Sequence, residues 1–221
     1  MTALILVAHG SRHPGARPCL EGLADAVAER LPSAEDVRVA WLELAEPSLG
    51  ELCGEFAARG IRDAVVVPLL FTEAFHRTVD LPAQAAAAEA TSGVSLDVRE
   101  GIGLGGGVKD AVVRSFHAAG GRPGDDVVLV AVGSSSAAAN DAVHRFAEGL
   151  GATAAFAVGA GHPRAEEALA PGAVALPLFT APGLLWDRVR DRAEVIGVTC
   201  GEPLGELLAD RVCEIAHEVI E

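Results

Sequence analysis

Tyrosine is absent from this chain, and aromatic residues together make up only 4% of it. That scarcity removes the stacking platforms on which single-stranded nucleic acids are held. Basic residues are also few: 17 Lys and Arg stand against 31 Asp and Glu, a formal charge of −14. A field of that sign repels nucleic acid and anionic membrane surfaces, so neither is expected as a partner. It leaves room for a small anionic substrate, because local arginines reverse the potential inside a cleft. Long hydrophobic runs are missing as well. The stretches at 64–70 and 127–132 fall far short of the ~20 residues that cross a bilayer. The opening MTALILVAHGSR has no basic n-region and no small-residue cleavage site after its short apolar run. It is expected to be a buried first strand, and the protein to be cytoplasmic.

Cys19, Cys53, Cys200 and Cys213 include no C-x-x-C pair. A cysteine zinc site, redox motif or iron–sulfur cluster is therefore not expected, and the thiols read as reduced, mostly buried small hydrophobes. No G-x-G-x-x-G follows the first strand and there is no Walker A motif. The glycine-rich GIGLGGG at 101–107 comes late in its domain, so no nucleotide is expected.

What is present is a hydrophobic half, enough to bury one large core or two smaller ones. Short apolar runs alternate with amphipathic stretches. Strands are expected at 3–8, 37–42, 64–70, 94–99, 127–132, 154–158, 173–178 and 195–198. Helices are expected at 16–31, 47–59, 81–91, 108–119, 138–150, 163–169, 183–192 and 203–220. In the first helix Leu20, Leu23, Ala24, Val27 and Leu31 share one face. In the second, Pro47 suits the first turn and Gly60 the stop. Strict β–α alternation implies parallel sheets with helices on both faces.

The two halves can be laid on one another. VAHGSRHPGA at 7–16 matches VAVGSSSAAA at 130–139, and VVVPLLF at 65–71 matches AVALPLF at 173–179. VAWLELAEP at 39–47 lies loosely against AFAVGAGHP at 155–163. With Gly120–Asp126 as the best linker, rich in Gly and Pro, the expectation is an α/β protein of two similar domains related by internal duplication, 1–120 and 121–221. It is expected to be a monomer with two pseudo-symmetric domains.

In open α/β sheets ligands bind beyond the carboxyl ends of the strands. In the first half those ends deliver His9 with Gly10, Ser11 and Arg12, then Glu43, then the loop at 71–82 that carries His76. Two imidazoles and a carboxylate suit divalent iron, cobalt, nickel or zinc. Opposite them in the second half stand Val132, Gly159 and Leu185. The joint disappearance argues for one active domain, with His9, Glu43 and His76 as its metal ligands and catalytic groups. The loops Gly10–Ser11–Arg12 and Gly133–Ser134–Ser135–Ser136 follow strands and open helices, where backbone N–H groups favour anions. Arg12, Arg17 and Arg77 are placed to pair with substrate carboxylates. His13, His117, His144, His162 and His217 lie on helices or loops without matching partners and read as structural.

The stretches LVAHGSRHPGA at 6–16, LELAEPSL at 42–49 and VPLLFTEAFHRTVDLP at 67–82 resemble the sirohydrochlorin chelatases, the class II chelatase family of siroheme and cobalamin biosynthesis. The resemblance covers most of the chain and includes a two-domain long form whose second half lacks the ligands. The family's metal-site histidines fall on His9 and His76 and its acidic residue on Glu43. One departure is the segment Glu73-Ala74-Phe75, where the family usually has a glycine near position 74. Glu73 would add a carboxylate there, and Phe75 would alter how a macrocycle sits.

The resemblance implies insertion of a divalent metal, Fe2+ or Co2+ and by chemistry also Ni2+, into a carboxylate-rich tetrapyrrole without ATP. Three protein ligands leave coordination positions open for transfer. The macrocycle would lie in a cleft between the domains, its peripheral carboxylates on Ser11, Arg12, Ser134 and Ser135. The pyrrole protons need a base, and His9, Glu43 and His76 all qualify.

Two alternatives belong to other classes. A strand ending in His-Gly also occurs in histidine phosphatases with an Arg-His-Gly motif, but Ala8 stands where that arginine would be. A metal or tetrapyrrole carrier without catalysis is the other.

Overall fold

The computed structural model describes residues 2–72 and 80–220. Eight strands and eight helices alternate along them. The strands are β1 (Thr2–Ala8), β2 (Val37–Trp41), β3 (Asp63–Pro68), β4 (Ser95–Val98), β5 (Val127–Ala131), β6 (Thr153–Phe156), β7 (Val174–Pro177) and β8 (Thr199–Cys200). The helices are α1 (Ala16–Arg30), α2 (Leu49–Ala58), α3 (Leu81–Ser92), α4 (Gly106–Ala118), α5 (Ala137–Glu148), α6 (Ala165–Ala168), α7 (Leu184–Val195) and α8 (Ala209–Ile220). Two four-stranded sheets result, in the orders β2-β1-β3-β4 and β6-β5-β7-β8. Every pairing is parallel. The duplicated α/β architecture read from the sequence is what forms.

The register explains why β1 is apolar without alternation. Leu4, Ile5, Leu6 and Val7 have no exposed surface, because β1 lies between β2 and β3 and is covered on both sides. Ile5 and Val7 share a core with Leu49, Leu52 and Phe56 of α2 and Leu81 of α3. Leu4 and Leu6 point to the opposite face by strand alternation, and there α1 packs on α8 and α8 on β3. In the second sheet Val128 and Val130 pack with Trp186 and Val189 of α7, while α4 lies against β7.

The compact units do not divide at 120/121. One comprises Met1–Gly103 with Leu208–Glu221, the other Leu104–Leu207. The last helix of each half has joined the sheet of the other. Lys109 Nζ of α4 donates to the Gly149 carbonyl at 2.9 Å, and Arg114 donates to the Leu207 carbonyl at 2.6 Å, both inside the second unit. In α8, Val212, Cys213, Ile215 and Ala216 are buried; Arg211 Nε donates to the Ile102 carbonyl at 3.0 Å, and Asp210 pairs with Arg30 of α1 at 3.2 Å. Composition marks a linker, but it does not say on which sheet an amphipathic helix lands.

Two local expectations also shift. Pro47 precedes the helix cap instead of occupying the first turn. Ser48 is the N-cap and forms a capping box with Glu51, whose carboxylate accepts from the Ser48 N–H at 2.7 Å and its hydroxyl at 2.8 Å. The strand expected at 195–198 belongs to the end of α7 and a turn at Gly197 (φ 77°), and the pairing strand is Thr199–Cys200. Val195, 86% exposed, supplied an apolar signal without burial.

Candidate metal centre

His9 is the first residue beyond β1, and Glu43 lies two residues beyond β2. The parallel ladder continues past both strands: the Leu42 N–H donates to the Ala8 carbonyl at 2.9 Å and the Glu43 N–H to the His9 carbonyl at 3.0 Å. From α3, Gln84 Nε2 donates to the Leu42 carbonyl at 3.2 Å. The loop then folds back, the Trp41 N–H donating to the Pro47 carbonyl at 2.9 Å, and enters α2 through the Ser48 cap. The two side chains are thus set by backbone that is bonded on both sides.

Their polar ends meet. His9 Nε2 and Glu43 Oε1 lie 3.1 Å apart, with 43% and 50% of the side chains exposed. Two donors each about 2.1 Å from one ion, and about 90–109° apart around it, stand ~3.0–3.4 Å from each other. The pair therefore already has the spacing of two ligands on a shared ion. It faces solvent, so an ion held there can be reached. His76, the expected third ligand, lies outside the described residues, as do Arg77, Glu73 and Phe75. Among the described residues no third His, Cys, Asp or Glu completes a cluster.

The anion-binding expectations fare differently from one another. Ser11 Oγ accepts from the His13 N–H at 3.1 Å, closing a turn, and His13 Nδ1 accepts from the Gly15 N–H at 3.0 Å. Arg12 is exposed. Arg17 donates to the Glu46 carbonyl and pairs with Glu21 at 3.7 Å. Ser134 and Ser135 lie in the other unit. Ser134 Oγ accepts from the Ser136 N–H at 3.1 Å, and the buried Asn140 clamps the Ser134 backbone through both its carbonyl and its N–H. Ser135 is exposed. The clamp by Asn140 carried no sequence signal.

Two of the thiols sit where burial favours the protonated form. Burial, helped by the charge of Glu89, pushes Cys53 up to about 11, and burial, helped by Glu194, pushes Cys200 up to about 11. Among the described residues there is no disulfide.

The second unit repeats the backbone and lacks the imidazole–carboxylate pair. The Ala157 N–H donates to the Ala131 carbonyl at 2.9 Å and the Val158 N–H to the Val132 carbonyl at 2.8 Å. These bonds put Val132 opposite His9, as the sequence alignment has it, but Val158 opposite Glu43 in place of Gly159. The ungapped alignment slipped because the second loop holds one more residue before its proline. Leu44 (φ 62°) and Gly159 (φ 78°) are the true counterparts.

A parallel α/β unit with a solvent-open imidazole–carboxylate pair beyond the carboxyl ends of β1 and β2 carries donors of the kind that suit a divalent transition metal, at the sheet end where ligands bind in open α/β folds. The CbiX family model matches residues 3–119, just over half of the chain, which belongs to that family. A sirohydrochlorin cobaltochelatase from Methanopyrus kandleri is 38% identical over 82 residues, taking in 37% of this chain and 57% of the relative. Its counterpart from Methanocaldococcus jannaschii is 34% identical over 84 residues, again 37% and 57%. The chain thus spans little more than half the length of the curated relatives it matches.

Among solved structures, the sirohydrochlorin chelatase SirB from Bacillus subtilis subspecies spizizenii, in complex with cobalt, superposes with a TM-score of 0.79 at 20% identity, over 98% of this chain and 94% of that one. A CbiX described as the terminal enzyme for biosynthesis of siroheme in denitrifying bacteria gives 0.72 at 23% identity, over 99% and 100%. Both share the fold.

Proposed function

We propose that this protein inserts a divalent metal ion, Fe2+ or Co2+ with Ni2+ also chemically suited, into sirohydrochlorin or a related tetrapyrrole, without a nucleotide. The single observation that carries the reading is the His9–Glu43 pair, 3.1 Å apart and open to solvent, in a chain of the CbiX family. His9, Glu43 and His76 hold the incoming ion by three bonds at most, which leaves sites for water and then for pyrrole nitrogens. Insertion exchanges one divalent cation for two pyrrole protons, so net charge is conserved and the protons must be taken up nearby. His9, Glu43 or His76 accepts them. Arg12 and the Ser11 hydroxyl receive peripheral carboxylates, which the overall acidic charge would otherwise repel. The protein works in the cytoplasm as a monomer, on a small molecule instead of nucleic acid or membrane. Among the described residues no helix is long and apolar enough to cross a membrane.

The test is metal insertion followed by the visible spectrum of the tetrapyrrole. Acceleration over the uncatalysed rate supports the reading. Tight binding of both metal and macrocycle with no acceleration would make the protein a carrier instead.

A further inference from the structure

Leu44 is the one non-glycine with positive φ among the described residues, at 62°. That left-handed conformation crowds the β-carbon of an L residue against the following carbonyl, so chains usually place glycine there. The second unit does so: Gly159 makes the equivalent turn at φ 78°, after the equivalent backbone bonds. The turn itself therefore does not need a side chain. Nor does burial account for the leucine, because Leu44 is 51% exposed. It follows Glu43 directly, and Glu43 is paired with His9 at the proposed metal site. A large apolar side chain is kept in a backbone conformation that disfavours it, beside the site, with half its surface in water. Strain of this kind at a site is a reason to look for a ligand contact.

We propose that Leu44 packs against the apolar ring face of the tetrapyrrole and sets the affinity for the macrocycle, independently of metal binding. The inference rests on the proposed function. Burying the exposed half of a leucine is worth about a five- to tenfold change in affinity. The experiment measures sirohydrochlorin binding by fluorescence quenching without metal, then KM and kcat for Co2+ insertion, then Co2+ binding alone, in the parent, Leu44→Gly and Leu44→Met. Leu44→Gly is expected to weaken macrocycle binding and raise KM about five- to tenfold, with kcat and Co2+ affinity within about twofold. Its melting temperature is expected to stay within about 2 °C of the parent or above it, since glycine relieves the turn. Leu44→Met, which keeps the apolar bulk, should bind the macrocycle within about twofold of the parent. Macrocycle affinity unchanged in Leu44→Gly, or lost equally in Gly and Met variants, overturns the inference while leaving the proposed function standing. A parent that neither binds nor metallates sirohydrochlorin overturns both.

Discussion

Gly10 and Glu43 approach so closely that a β-carbon on Gly10 would lie 1.9 Å from the Glu43 carbonyl oxygen. Gly10 also has φ 128°, where side chains are strained whatever the space. The residue after His9 is thus glycine because the backbone of Glu43 occupies its side-chain position. Gly10→Ala should push the β2 loop away, separate His9 from Glu43, lower stability by about 2 kcal/mol or more and weaken Co2+ binding at least about tenfold. Calorimetric titration with Co2+ and a thermal melt check it. Parent-like affinity would show that the contact does not set the pair.

The same close approach recurs in the second unit, where a β-carbon on Gly133 would lie 2.0 Å from the Val158 carbonyl oxygen. The backbone arrangement survives there without the imidazole and the carboxylate. The double variant Val132→His with Val158→Glu should therefore bind a second, weaker Co2+ equivalent. Equilibrium dialysis reads the stoichiometry, and an unchanged count would mean that the shared backbone is not sufficient to orient the side chains.

Loop entry into α2 depends on protonation. The Ser48 backbone N–H, and then its hydroxyl, hold the Glu51 carboxyl below its ordinary 4.5. A depressed folded value stabilises the protein above the unfolded value and loses that effect as pH falls through the folded one. Glu51→Gln should therefore melt below the parent at pH 7, and the gap should narrow as pH drops below 4.5. A gap that stays constant or widens on acidification would contradict the capping-box assignment.

Helix α8 completes the unit that carries His9 and Glu43. Deleting residues 208–221 removes Val212, Cys213 and Ile215 from that core. At about 1.5–3 kcal/mol for each large apolar side chain, the loss should exceed about 3 kcal/mol. A truncated chain is expected to melt well below the parent or to aggregate, and a parent-like melt would mean that the unit is complete without α8.

Much of this was legible in the sequence, for physical reasons. Strands buried on both faces, such as β1, announce themselves as unbroken apolar runs. The His9 position follows from a strand end, and its loss at Val132 is visible because the repeat is ungapped there. Glu43 was found, but its counterpart was misplaced, since one inserted residue in a loop leaves no hydrophobic period to count. The exchange of α4 and α8 was hidden because amphipathic faces state that they will be buried, not where. The positive φ at Leu44 was hidden too, because it is a property of how the loop between Trp41 and Pro47 closes and not of the residue's own type.

The central claim is that His9 and Glu43 together handle a metal on its way into a macrocycle. The most direct measurement is the initial rate of Co2+ insertion into sirohydrochlorin by the parent, His9→Ala and Glu43→Gln, each shown folded by its melting curve. Loss of at least about a hundredfold in rate in His9→Ala, with Glu43→Gln also strongly reduced and both folded, is the expected result. Parent-like insertion rates in both variants would contradict it.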